Sequence, residues 1–239
     1  MSPDAGALYL LPNTLGETPA EAVIPSAALH RARSLDYFVA EDPKSARAFL
    51  KRIGYPKRLQ DARIGRLDHN TKSSEIPLLL EPVLEGRDAG LLSEAGLPAV
   101  ADPGAGLVRL AHANGVRVVP LSGPSSVVLA LAASGLEGQR FAFHGYLPVK
   151  QAPLEAALKD LERQSARLGQ TQIFIETPYR NDATLATMLR VLGDGTLVCV
   201  AADLTLETEM VKTRTAALWR RDAPALTGRP AVFLLLATG

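Results

Sequence analysis

A single cysteine, Cys199, stands in a chain of 239 residues. One thiol excludes an intrachain disulfide and any cysteine-rich zinc or iron–sulfur site. Its setting, Leu197-Val198-Cys199-Val200, reads as a buried structural position. An excess of one charge sign is also missing: 26 Lys and Arg stand against 25 Asp and Glu, a net +1. That excludes a uniformly basic nucleic-acid coat and an acidic tail protein. No apolar run approaches the roughly 20 residues of a membrane helix. Met1 to Ala7 contains Asp4 and no basic stretch, so no targeting signal is read there. A soluble, cytoplasmic protein without membrane association is expected. Gly-x-Gly-x-x-Gly after the first strand, the phosphate-loop motif, His-Glu-x-x-His and Gly-x-Ser-x-Gly are all absent. His30, His69, His112 and His144 are scattered without metal-ligand spacing, so no metal-dependent mechanism is expected.

What is present is the composition of a globular α/β protein. The chain is 47% hydrophobic and 21% charged, and its 19 glycines and 17 prolines imply many defined turns. The length allows one large domain or two modest ones. Short apolar runs at Leu8–Leu11, Tyr37–Ala40, Gly90–Ser93 and Val116–Leu121 read as strands. Between them lie helical segments at Ile24–Ser34, Asp42–Ile53, Ser73–Glu85 and Leu107–Asn114. Strand–helix alternation is the signature of a parallel sheet. The helix after Asp42 has the clearest signal. Asp42 can cap it, Pro43 suits its first turn and Gly54 can stop it. Ala46, Phe49, Leu50 and Ile53 share one face, and Lys44, Arg47 and Lys51 the opposite one.

The second half reads differently. Strands are expected at Phe141–Tyr146, Thr171–Glu176, Gly195–Ala202, Glu207–Lys212 and Ala231–Leu236, with helices at Leu154–Leu168 and Asp182–Leu192. Several of these strands have no helix between them, which predicts a mixed sheet. The change of pattern places a domain boundary near Pro120–Pro124, giving domains 1–121 and 122–239.

Ligands in α/β sheets bind at the carboxyl ends of strands. Four loops with that placement are Pro12–Gly16, Glu94–Pro98, Ala101–Gly104 and Ser122–Ser125. They offer backbone amides and small side chains, not rows of charge. The basic residues concentrate elsewhere. Residues 44–72 hold nine Lys and Arg against Asp61 and Asp68, a local +7, so the remaining chain carries −6. Such a surface can hold a phosphate backbone while the whole protein stays near neutral.

Eight segments in order then resemble one family. They are Leu8-Tyr9-Leu10-Leu11-Pro12 through Gly16, Ala40-Glu41-Asp42, Asp68-His69-Asn70, Leu92 through Pro98, Ala101-Asp102-Pro103-Gly104, Gly115 through Pro124, Phe143 through Pro148, and Phe174 through Arg180. The chain resembles the tetrapyrrole methylase superfamily of S-adenosylmethionine-dependent enzymes. Within it the likeness is strongest to the 16S ribosomal RNA (cytidine 2'-O)-methyltransferases, as a shorter and divergent member. The departures include Asn13-Thr14-Leu15-Gly16-Glu17 in the first loop, Glu94 and Leu97 in the second, and Asp42-Pro43-Lys44.

The resemblance implies two α/β domains with the cofactor cleft between them, S-adenosylmethionine as cofactor and a homodimer. It implies cofactor contacts at Pro12, Gly16, Ser93, Gly96, Pro98, Ala101, Asp102, Ser122, Gly123, Ser125, Thr177, Pro230 and Ala231. It implies RNA as substrate, reached through the basic segment 44–72. A ribose hydroxyl is poorly acidic and needs a proton acceptor within reach. Glu94, Asp102 and His69 are the candidate catalytic residues. Glu176 is a further candidate that can instead pair with Arg180. A methylase of a porphyrinoid or other small molecule, and a binding protein without catalysis, are the alternative readings.

Overall fold

The structure is a computed structural model that describes residues 5–237. The stretch through Asp4, read above for a targeting signal, lies outside the described residues. The chain divides into two compact units, the first ending at Ser125 and the second starting at Ser126.

The first unit runs β1 (Ala7–Leu11), α1 (Ala20–Val23), α2 (Ser26–Ser34), β2 (Tyr37–Ala40), α3 (Pro43–Arg52), β3 (Arg63–Arg66), α4 (Ile76–Leu84), β4 (Ala89–Leu92), α5 (Ala105–Ala113) and β5 (Arg117–Pro120). Its five strands form a parallel sheet in the order β3-β2-β4-β1-β5. Period-2 alternation sends Ala7, Tyr9 and Leu11 to one face and Leu8 to the other. Helices α1–α3 cover the first face through Ala20, Ile24, Leu29, Phe49 and Leu50. Helices α4 and α5 cover the second through Leu80, Val83, Leu107 and Ala111. Full burial of one such Leu or Phe side chain contributes about 1.5–3 kcal/mol. With both faces covered, the central strands are apolar throughout.

Two elements differ from the sequence expectation. The helix expected at Ile24–Ser34 forms as α2 from Ser26, with Pro25 at its N-cap, and a separate short helix, α1, precedes it and was not expected. Strand β3, Arg-Ile-Gly-Arg, carried no apolar run and was not anticipated. It is an edge strand that exists through its register with β2, Tyr37 opposite Arg63 and Ala40 opposite Arg66. Helix α3 forms as read. The Asp42 carboxylate accepts from the backbone N–H of Ser45 at 2.8 Å and of Lys44 at 3.3 Å. Ala46, Phe49, Leu50 and Ile53 are buried, and Lys44, Arg47 and Lys51 are exposed.

The second unit runs α6 (Ser126–Ser134), β6 (Phe141–Tyr146), α7 (Gln151–Leu168), β7 (Thr171–Glu176), α8 (Asn181–Val191), β8 (Leu197–Ala202), β9 (Met210–Thr215), α9 (Ala216–Trp219) and β10 (Ala231–Leu236). Its sheet has the order β6-β7-β10-β8-β9. Only β6 and β7 pair in parallel; the other neighbours are antiparallel. The sheet is therefore mixed, as the adjacent strands without helices between them imply. Leu154, Leu158 and Met188 of α7 and α8 cover one face, where Phe174 and Phe233 stack with ring centroids 5.4 Å apart. Helix α6 packs on the other face. Cys199 is fully buried in β8, and burial pushes its thiol pKa up, as fits a structural thiol. The strand expected at Glu207–Lys212 begins three residues later.

Candidate functional site

The connections of the first sheet decide where its ligand edge opens. After β2 the chain leaves through α3 toward β3 on one face. After β4 it leaves through α5 toward β5 on the other face. These two strands are neighbours, so their loops part and leave a crevice, the usual place for a ligand in such sheets. A shallow pocket lies there, lined by Ala40, Glu41, Asp42, Ser45, Ala46, Leu92, Ser93 and Glu94.

Asn13 ties the neighbouring loops into one body. It is 5% exposed. Its side-chain amide donates to the carbonyls of Ser93 at 3.1 Å and Glu94 at 2.8 Å, and its side-chain oxygen accepts from Thr14 N–H at 2.8 Å. Its own N–H donates to Gly96 O at 2.8 Å. Thr14 donates from its hydroxyl to Gly16 O at 2.8 Å. The Ser122–Ser125 loop leans on the same corner: a Cβ at Gly123 would sit 2.1 Å from Pro12 Cβ. Pro12, Pro98, Gly96, Ser93 and Ser125 are buried, while Gly16 is half-buried and Ser122 exposed.

The stretch after β4 is backbone under constraint. Ala99 and Ala101 are held at φ +64° and +66°, although they carry a Cβ, alongside Gly96 at +67° and Gly104 at +142°. Each such alanine stores on the order of 1 kcal/mol or more, and such outliers cluster at functional sites.

Charge gathers on this edge. Burial raises the pKa of the Glu41 carboxyl, and the nearby Asp102, Glu94 and Asp68 carboxylates add to the rise, while His69 opposes it. Burial likewise raises Asp102, with Glu94 adding and the Ser93 hydroxyl opposing. Glu94, Asp102 and His69, the candidates read from the sequence, thus share one electrostatic neighbourhood. Glu41 belongs to it and was not named as a site residue. Its signal was its place at the carboxyl end of a strand, within the matched Ala40-Glu41-Asp42. Asp68 is committed locally, to Arg66 at 2.7 Å and to the N–H of Asn70 at 2.9 Å. His69 and Glu94 are exposed and Asp102 half-buried.

The remaining sequence candidates belong to the second unit. Ala231 sits opposite both Glu176 and Ala202 in the sheet, Thr177 follows Glu176, and Pro230 O accepts from Asp203 N–H at 2.9 Å. Glu176 is 7% exposed. One carboxylate oxygen accepts from Thr177 N–H at 2.7 Å, and the other pairs with Arg180 at 3.2 Å. Thr184 donates to that second oxygen at 3.3 Å. With both oxygens engaged, Glu176 anchors its turn and is not a free proton acceptor.

The first unit's residues fit a cationic sulfonium nucleoside. Small-residue loops allow close backbone approach, and the carboxylates of Glu41, Asp42 and Glu94 line the crevice. Among the described residues no group of three or more His, Cys, Asp or Glu is arranged to hold a metal ion. No described helix is long and apolar enough to cross a membrane.

A family model described as Tetrapyrrole (Corrin/Porphyrin) Methylases matches residues 20–218. The chain belongs to that family, and is an S-adenosylmethionine-dependent methyltransferase. It is 34% identical over 206 residues to a ribosomal RNA small subunit methyltransferase I of Escherichia coli O157:H7, covering 86% of this chain and 68% of that one. It is 35% identical over 209 residues to the protein of the same name from Mesorhizobium japonicum, covering 87% and 67%. The chain thus matches about two thirds of the length of these relatives. The fold is that of a solved methyltransferase, CobJ, with a TM-score of 0.62 at 18% identity over 98% of this chain and 95% of the other.

Proposed function

We propose that this chain methylates a ribose 2'-hydroxyl of small-subunit ribosomal RNA. One observation carries the reading. The exposed basic face of α3 and the carboxylate-lined strand ends belong to the same unit, with Asp42 joining them as cap of the one and lining of the other. The names of the relatives support the substrate class.

S-adenosylmethionine supplies, when bound, an electrophilic methyl group on a positively charged sulfur. The chain's part is alignment and proton acceptance. Loops 12–16, 93–98, 101–104 and 122–125 of the first unit offer the backbone and small side chains to hold the donor. Glu94 and Asp102 are the groups to receive the hydroxyl proton. Burial raises the proton affinity of Asp102 above that of an ordinary aspartate. Lys44, Arg47 and Lys51 hold phosphates, which fix position and not sequence. We place the enzyme in the cytoplasm as a homodimer; light scattering at micromolar concentration tests the dimer, and a species of 25.4 kDa contradicts it.

Mass spectrometry of 16S ribosomal RNA from cells with and without the gene decides the substrate. A ribose methyl present only with the gene is expected. Its absence, together with turnover of a porphyrinoid by the purified protein, would move the assignment to the small-molecule branch that the family description names.

A further inference from the structure

Arg52 behaves unlike the other basic residues of its helix. Lys44, Arg47, Lys51 and Arg52 are all exposed, but Arg52 alone of the four bonds to the loop after β1. Arg52, the last residue of α3, turns to the loop after β1. Its guanidinium donates to Thr14 Oγ1 at 2.5 Å and lies 3.5 Å from Gly16 O. Thr14 is 3% exposed, so this hydroxyl is a buried end point for a charged donor. The chain of contacts continues. Thr14 Oγ1 donates to Gly16 O, Thr14 N–H donates to Asn13, and Asn13 holds the carbonyls of Ser93 and Glu94.

We propose that Arg52 is a positioning residue that holds loop 12–16 in the shape that receives the methyl donor, so that one helix serves RNA with its outer face and the donor site with its last residue. This rests on the reading that loop 12–16 lines the donor site. Both contacts leave from the single nitrogen Nη1, and the guanidinium suits the role because it stays charged and is more weakly hydrated than an ammonium, so it reaches a buried hydroxyl at lower cost.

The test compares Arg52→Ala, Arg52→Lys, Thr14→Val and the Arg52→Ala/Thr14→Val pair. S-adenosylmethionine affinity is read by calorimetry, and affinity for a 16S ribosomal RNA fragment is read across salt concentrations. Arg52→Ala should weaken the donor by about tenfold, the loss of one charge-assisted hydrogen bond, and Arg52→Lys by less. Thr14→Val removes the same contact from the other side, so the double variant should be no weaker than the worse single one. The salt slope of RNA binding should stay that of the parent. Unchanged donor affinity in Arg52→Ala, with a salt slope flattened by about one unit, would make Arg52 a phosphate contact and overturn the inference. Strict additivity of the two single variants would overturn it also. A parent protein that binds no S-adenosylmethionine would instead defeat the site reading on which it rests.

Discussion

Gly123 faces Pro12 so closely that a Cβ at Gly123 would lie 2.1 Å from Pro12 Cβ and 2.6 Å from its Cγ. The turn after β5 and the turn after β1 are thereby held in contact, and the fit leaves no room for a methyl group. Gly123→Ala must push the proline away. Overpacking of this kind costs about 1–3 kcal/mol, and the shift should weaken S-adenosylmethionine as well. Urea unfolding and calorimetry check both. A variant with the parent's midpoint and donor affinity would show that the two turns move apart freely.

Asn13→Ala should cost more than its size implies. Three side-chain hydrogen bonds go at once, at about 1 kcal/mol each, and the Ser93 carbonyl left behind is buried. A loss of about 2–3 kcal/mol in denaturant unfolding is expected. Asn13→Asp should also be destabilised, because it sets a carboxylate against the carbonyls of Ser93 and Glu94. Parent-like stability of both variants would dismiss Asn13 as the tie between the loops.

Replacing Lys44, Arg47 and Lys51 together by Ala should weaken RNA binding without touching the donor. Each lost phosphate contact flattens the logarithmic salt dependence by about 0.7–0.9 units. Alanine keeps helix propensity and the three sites are exposed, so stability should change by less than about 1 kcal/mol. Titrations at several salt concentrations, beside donor calorimetry on the same variant, read this out. An unchanged salt slope would leave α3 a solvated face.

The pH dependence of stability has a sign set by Asp102 and Glu41. Both are raised in the folded state, chiefly by burial, which penalises the ionised form. The folded protein therefore holds these protons more tightly than the unfolded chain. Each group costs stability as pH rises through its unfolded and then its folded pKa, and the cost disappears on acidification. Asp102→Asn removes one such cost. It should melt above the parent at pH 7, with the gap narrowing on acidification and closing below the unfolded aspartate pKa of about 3.9, and its methylation rate should fall. A variant that melts below the parent by the same margin at every pH would show that the carboxylate is needed as a hydrogen-bond acceptor and carries no ionisation cost.

The legible parts of this protein were local. Tyr37–Ala40 and Ala231–Leu236 are unbroken apolar runs, and both are buried strands. Asp42 and Pro43 announced α3, since a capping carboxylate and a fixed φ act within one turn. The strand-end loops were legible from their place after apolar runs, and the family from eight matching segments in order. β3 was invisible because an exposed edge strand of Arg-Ile-Gly-Arg has no hydrophobic period to read. Arg52 read as one more member of a basic run, because nothing local separates a solvated guanidinium from one that reaches a buried hydroxyl 38 residues away in the chain.

By itself the sequence determined the apolar strands, most of the helices, the cap of α3 and the loops at the strand ends, since periodicity and capping are satisfied within a few residues. Only the tertiary structure decided which loops meet. The sheet order β3-β2-β4-β1-β5 sets β2 beside β4, and in a parallel register every carboxyl end falls on one edge. That placement brings Glu41 to Glu94 and Asp102 across more than fifty residues of chain and binds Asn13 to Ser93. Strand order is a choice among long-range pairings made by burying both faces of the sheet at once, and no short segment contains it.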